Sequence, residues 1–124
     1  MENKACAYIC GHLDLTQEEF DLHYKDKIKE VVAMDHNIVV GDANGADVMA
    51  QQLLKDLNYN YVIVFHMFEE PRHNVGPFAQ TGGYGSDIER DEEMMKHSNY
   101  TVAWVRPGRE KSWTAKALKR IRNI

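Results

Sequence analysis

The chain has 124 residues, 44% apolar and 27% charged, with 15 basic side chains against 19 acidic ones and a net charge of −4. Such a length fits one domain that buries roughly two-thirds of its unfolded surface. The acidic balance argues against a general nucleic-acid or anionic-membrane binder, and no apolar run approaches the ~20 residues of a membrane span.

Residues 4–10 (KACAYIC) read as a first strand, apolar and buried on both faces. A regular strand holds Cys6 and Cys10 roughly 13 Å apart, too far for a disulfide, so reduced thiols in a cytoplasmic protein are expected. No basic start followed by a long apolar core suggests a signal peptide. After the loop Gly11 to Leu15, Thr16 and Glu19 have capping-box spacing, and Leu15 and Phe20 have that of a hydrophobic staple. Phe20, Tyr24, Ile28, Val31 and Val32 form the apolar stripe of one helix ending near Met34.

The second strand, Ile38 to Val40, stops at Gly41 and runs into Asp42-Ala43-Asn44-Gly45-Ala46-Asp47. Asn44-Gly45 is a strong turn dipeptide. Ala46, Met49, Ala50, Leu53, Leu54 and Leu57 then keep helical spacing. A strand, glycine turn and helix start in succession bring backbone N–H groups close to a small ligand, commonly an anionic one. The plain alternative is a tight turn capped by Asp42 or Asn44.

Tyr61 to Met67 reads as a third strand, and 68–85, with its glycines and prolines, as a long irregular segment. In that segment Phe78 and Tyr84 serve either as a base-stacking lid or as anchors that pin the loop. Ser86 with Glu89 predicts a second capping box and a helix from about Asp87 to His97. Thr101 to Val105 is a fourth strand. After the polar loop Arg106 to Lys111, Ser112 caps a last helix buried through Thr114, Ala117, Leu118 and Ile121.

Strands alternating with helices imply a parallel sheet with helices on both faces, an α/β fold of three layers. Right-handed crossovers favour strand order 3-2-1-4, and the ligand then sits at the carboxyl ends beside the switch between strands 1 and 4. The expected site draws on Gly11 to Asp14, Gly41 to Asp47, the start of the third helix, and Arg106 to Thr114.

Several groups here have the chemistry of a site. Asp42 and Asp47 would repel a phosphate held directly against them and suit ribose hydroxyls, a metal-bound water or capping. A phosphate needs cations, which Arg72, Arg90, Arg106, Arg109 and Lys111 offer. Asp91 lies on the side of Met94, Met95 and Ser98, so its pKa would be raised and it could act as acid, base or nucleophile. Its plain role is an ion pair with Arg90 or Arg72. Ser112 and Thr114 either hold phosphate or simply cap. The six histidines lack metal-ligand spacing, so neither metal nor cofactor is expected.

Gly41-Asp42-Ala43-Asn44-Gly45-Ala46-Asp47, followed by Ala50, resembles the GxxxGxD…A motif of the SLOG superfamily. These Rossmann-like domains include DNA-processing protein A and the lonely-guy cytokinin-activating phosphoribohydrolases. Arg90 to Met94 with Val102 to Val105, and Pro107-Gly108 with Ser112-Trp113-Thr114, resemble two further blocks of that group. A more distant likeness is to nucleoside deoxyribosyltransferases and deoxynucleotide N-hydrolases, which use a helix-borne carboxylate.

The resemblance implies a single Rossmann-like domain over 1–124 that binds a nucleotide or nucleoside. Ligand contacts are expected from Gly11, Gly41, Asp42, Gly45, Asp47, Arg90, Pro107, Gly108, Ser112 and Thr114. The resemblance does not settle catalysis; in N-glycosidic cleavage Asp91 or Asp14 would stabilise the oxocarbenium-like transition state. The phosphoribohydrolase signature PGGxGTxxE has Arg109 at its second glycine here and no acid after Thr114. That departure favours the alternative, a ligand-binding sensor without chemistry. A DNA-binding role is set back by the acidic balance, and a homo-oligomer would suit a small sheet that completes its site across an interface.

Overall fold

The computed structural model describes residues 4–118. Five strands make one all-parallel sheet: β1 (Cys6–Ile9), β2 (Asn37–Gly41), β3 (Val62–Met67), β4 (Ala79–Tyr84) and β5 (Tyr100–Val102). Their order is β4-β3-β2-β1-β5. The expected order of the four foreseen strands is kept, and the correction is the extra edge strand β4, which lies inside the segment read as irregular. Its residues Ala79 to Gly83 are all exposed. Pairing with β3 organises it, from Ile63 opposite Ala79 to Met67 opposite Tyr84.

Side-chain alternation sorts the sheet into two faces. Ala7, Ile9, Ile38, Val40, Val62 and Val64 pack against Phe20, Ile28, Val31, Ala50 and Leu54. These come from α1 (Gln17–His23), α2 (Lys25–Ala33) and α3 (Ala46–Asp56). Tyr8, Cys10, Val39 and Phe65 point the other way, onto Met94 of α4 (Asp87–Lys96) and Ala117 of α5 (Trp113–Leu118). The fold is a three-layer α/β sandwich of Rossmann-like type.

The Thr16–Glu19 capping box is complete. The helix expected to follow it divides at Tyr24 into α1 and α2. The Tyr24 N–H still donates to Phe20 O, and the Ile28 N–H to Tyr24 O, so the apolar stripe passes through the break. The second box is half formed: the Ser86 hydroxyl accepts from the Glu89 N–H, whereas the Glu89 carboxylate accepts from Gly85 instead of Ser86. Leu118 is exposed rather than buried, and Ile121 lies outside the described residues. Phe78 packs on the core and Tyr84 stacks on Phe65 at 6.0 Å, so both are anchors.

No helix among the described residues is long and apolar enough to cross a membrane. Cys6 and Cys10 are thiols on β1 and just beyond it.

Candidate functional site

The carboxyl ends of β1 and β2 open onto a cleft of about 220 Å³ bounded by the first turns of α3 and α4 and the residues leading into α5. Of the residues singled out above, Gly11, Asp47, Arg90, Asp91, Ser112 and Thr114 line it together. Gly41, Asp42, Gly45, Pro107, Gly108 and Asp14 do not. Among the described residues no cluster of three His, Cys, Asp or Glu side chains could hold a metal ion.

Asp42 lies beneath the site, fully buried. Its Oδ1 accepts from Arg90 Nη1 at 2.7 Å and from Arg72 Nη2 at 2.9 Å. Its Oδ2 accepts from the Arg72 backbone N–H at 2.8 Å and from Arg72 Nε at 3.2 Å. Burial alone would raise its pKa, but the Arg72 bonds, the Arg72 charge and the Arg90 charge outweigh that and hold it below the usual range. Four donors leave this carboxylate nothing to offer a ligand. It anchors two arginines, and it caps no helix: the N-cap of α3 is Gly45, without a side-chain bond.

Arg90, 4% exposed, passes from Asp42 to the cleft floor. Its Nε and Nη2 donate to Asp91 Oδ1 at 3.0 and 2.8 Å, and Nη1 lies 3.1 Å from Asp87 Oδ1. Asp91 also accepts from the Tyr8 hydroxyl, which in turn accepts from Trp113 Nε1 at 2.8 Å. Burial pushes the Asp91 carboxyl up despite Arg90. Asp47 Oδ2 accepts from the Ala43 N–H at 3.2 Å, and burial, opposed by Arg90 and reinforced by Asp91, raises its pKa to about 7. One guanidinium therefore serves a cleft lined by three carboxyls, two of which, Asp47 and Asp91, burial shifts upward.

Glycines permit this crowding. A Cβ on Gly41 would stand 2.5 Å from Asp47 Oδ2 and 3.2 Å from Arg90 Cζ. Gly45 has φ +76°, and a Cβ there would meet the carbonyl oxygens of His12 and Leu13. Gly45→Ala combines a left-handed backbone with this clash, so a loss of about 2 kcal/mol is expected in urea unfolding. A midpoint equal to wild type would show that the turn relaxes freely.

Of the other expected cations, Arg106 and Arg72 are committed to acids and Arg109 lines the cleft. Arg106 spans Glu19, with Nη2 to Oε1 at 2.8 Å and Nε to Oε2 at 3.0 Å, and reaches Asp14 at 3.1 Å. Asp14 is exposed and lies outside the cleft lining. Arg72 holds Asp42 and Asp87. Arg109 lines the cleft, with a loose 3.7 Å contact to Asp14. The Ser112 hydroxyl accepts from the Ala115 N–H, so it does cap α5.

Tyr8, Trp113, Gln51 and the pairing of Arg72 went unforeseen. Buried Gln51 donates to Gly41 O and His73 O and accepts from the Val75 N–H, strapping the 68–78 segment over the β2–α3 turn. The available signal was a Gln at a buried helical position, between Ala50 and Leu54. Tyr8 and Trp113 are 105 positions apart, and no local pattern connects them. No family model matches the chain, and no curated protein does either.

Proposed function

We propose that the cleft binds a nucleotide or nucleoside and breaks its N-glycosidic bond. The observation that supports this reading is the pairing of Asp47 and Asp91 around Arg90 at the carboxyl ends of the strands. Cleavage needs a proton for the departing base and a carboxylate beside the oxocarbenium-like sugar. Asp47, with a pKa near 7, suits the first task. Asp91, oriented by Arg90 and Tyr8, suits the second. As the C1′–N bond breaks, its electron pair leaves with the base, which takes the Asp47 proton. Water then adds to C1′ and gives up a proton to Asp91. Asp42 and Asp14 drop out of the mechanism, the first saturated and the second outside the lining. At about 220 Å³ the cleft is below the ~300 Å³ of common ligand sites and suits one nucleoside rather than a dinucleotide.

In a nucleotide panel followed by chromatography of free base, Asp91→Asn is expected to slow release at least a hundredfold, with an unfolding midpoint near wild type. Equal rates in the two proteins would remove Asp91 from the mechanism. A second reading, a sensor without turnover, is favoured by the two Arg90 bonds to Asp91, which weaken it as a base. Thermal stabilisation by a nucleotide with no base released would select that reading. The thiols at Cys6 and Cys10 fit a cytoplasmic protein, and the exposed edge strand β4 fits a homo-oligomer.

A further inference from the structure

His12 lies on the loop after β1, lines the cleft and is 3% exposed. Its Nε2 accepts a hydrogen bond from the Arg106 backbone N–H at 2.9 Å. That bond decides the tautomer. A ring nitrogen that accepts carries no proton, so in the neutral imidazole the proton sits on Nδ1. Burial, Arg109 and Arg106 all disfavour the charged ring. The side chain is thus a neutral imidazole with an Nδ1–H donor. Among the described residues no protein acceptor meets that donor. A buried N–H without a partner is rare, and in a cleft wall it marks a place where something else accepts.

The charges around the cleft say what that acceptor is. Asp47, Asp87 and Asp91 come from α3 and α4 and form one wall. His12 and Arg109 come from the loops after β1 and β5 and form the other. Arg109 is the lining arginine whose ion pair is loose, at 3.7 Å, whereas Arg90 is fully engaged by Asp42, Asp87 and Asp91. One side of the cleft therefore accepts and the other donates. A ligand that satisfies both has hydroxyls at one end and an anionic oxygen at the other.

We infer that His12 is a ligand-binding residue whose Nδ1–H donates to an anionic phosphate oxygen, which Arg109 also meets, while sugar hydroxyls face the aspartates. The inference rests on the nucleotide reading only for what lies beyond the sugar phosphate. It also resolves how an acidic cleft accepts an anion: the phosphate stays away from Asp47, Asp87 and Asp91, on the side where the nearest acids, Asp14 and Glu19, lie outside the lining and are paired with arginine.

Two substitutions separate binding from scaffolding. His12→Gln places an amide oxygen near the position of Nε2, retaining the acceptor for Arg106 and losing the Nδ1 donor. His12→Asn places an amide N–H near the position of Nδ1, retaining the donor and losing the acceptor. The measurement is calorimetric affinity for ribose 5-phosphate and for ribose, with the urea midpoint of each protein. Wild type is expected to bind ribose 5-phosphate at least tenfold tighter than ribose. His12→Gln is expected to lose about tenfold for ribose 5-phosphate, none for ribose, and little stability. His12→Asn is expected to hold affinity within about threefold and to unfold at lower urea.

A purely structural histidine predicts the reverse ordering, and that ordering overturns the inference. So does ribose 5-phosphate binding no tighter than ribose, or not at all. Base release from nucleotides is followed in parallel. Binding that depends on His12 without base release keeps this inference and removes the glycosidase reading. Base release with His12→Gln binding like wild type does the opposite.

Discussion

Arg90→Met is expected to lose about 3–5 kcal/mol of stability at neutral pH, a large share of the 5–15 kcal/mol of an ordinary domain. The cause is not the loss of a favourable ion pair as such. Arg90 meets Asp42 at 2.7 Å, Asp91 at 2.8 Å and Asp87 at 3.1 Å, and its charge also offsets buried Asp47. Methionine fills much of the space but leaves Asp42 and Asp87 with Arg72 alone, and Asp91 and Asp47 without the charge that offsets them. Uncompensated buried charge is the most expensive thing a core can hold. Arg90→Lys retains the charge but has no planar fork, so it cannot serve Asp42 and Asp91 at once, and an intermediate loss is expected. The signature is recovery on acidification: below about pH 4, where carboxyls protonate, the methionine variant should approach wild type. Urea unfolding at pH 7 and pH 4 reads both effects. A loss under about 1 kcal/mol at pH 7 would mean that water or rearrangement already neutralises the cluster.

The frame of this site was legible because apolar periodicity reports on burial, and burial follows from local spacing. Val39, Val40 and Gly41 ending a strand at a helix start, and the Thr16–Glu19 box, are short-range signals. β4 was not legible. Ala79-Gln80-Thr81-Gly82-Gly83-Tyr84 shows no alternation and carries two glycines, and it is a strand only because β3 offers an open edge. Its Gly82 is required by contact rather than propensity, since a Cβ there would run into the His66 ring.

The site divides along the same line. Asp47, Arg90 and Asp91 stand at helix starts that the pattern locates, so their convergence could be foreseen. The Arg90–Asp91 pair is one of the two ion pairs that the sequence offers for Asp91, whereas the hold of Arg72 and Arg90 on Asp42 could not be foreseen. Arg72 reaches Asp42 across 30 positions, and Trp113 reaches Asp91 through Tyr8 only because β1 sits between β2 and β5. Asp14, on the loop that leads from β1 into the cleft, is exposed outside the lining and pairs with Arg106 and Arg109.

Asp47→Asn is expected to make the protein more stable at pH 8 and to remove much of its pH dependence between pH 4 and 7. The Asp47 carboxyl is raised from 3.8 to about 7 in the folded protein. Between those values the native state holds a proton that the unfolded chain has released, so stability falls as pH rises through the window. Above about pH 7 this group's contribution is flat. Three pKa units correspond to about 4 kcal/mol as an upper bound. Asp91, also raised by burial, pulls the same way and remains in the variant. Asp42 acts with the opposite sign: its lowered pKa gives stability that is present above 3.8 and lost as pH falls further, so its effect lies below the Asp47 window.

Asparagine retains an acceptor for the Ala43 N–H and replaces an ionisable oxygen by an amide that needs no proton. At pH 4 the variant should therefore match wild type, and the gap should open steadily toward pH 8. Urea midpoints at pH 4, 6 and 8 measure it. A variant less stable than wild type at pH 8, or one with the same slope, would mean that Asp47 is not the buried acid described here. The same substitution should abolish base release if Asp47 supplies the leaving-group proton. A protein that gains stability where it loses activity is what a site holding an unfavourable charge for function predicts.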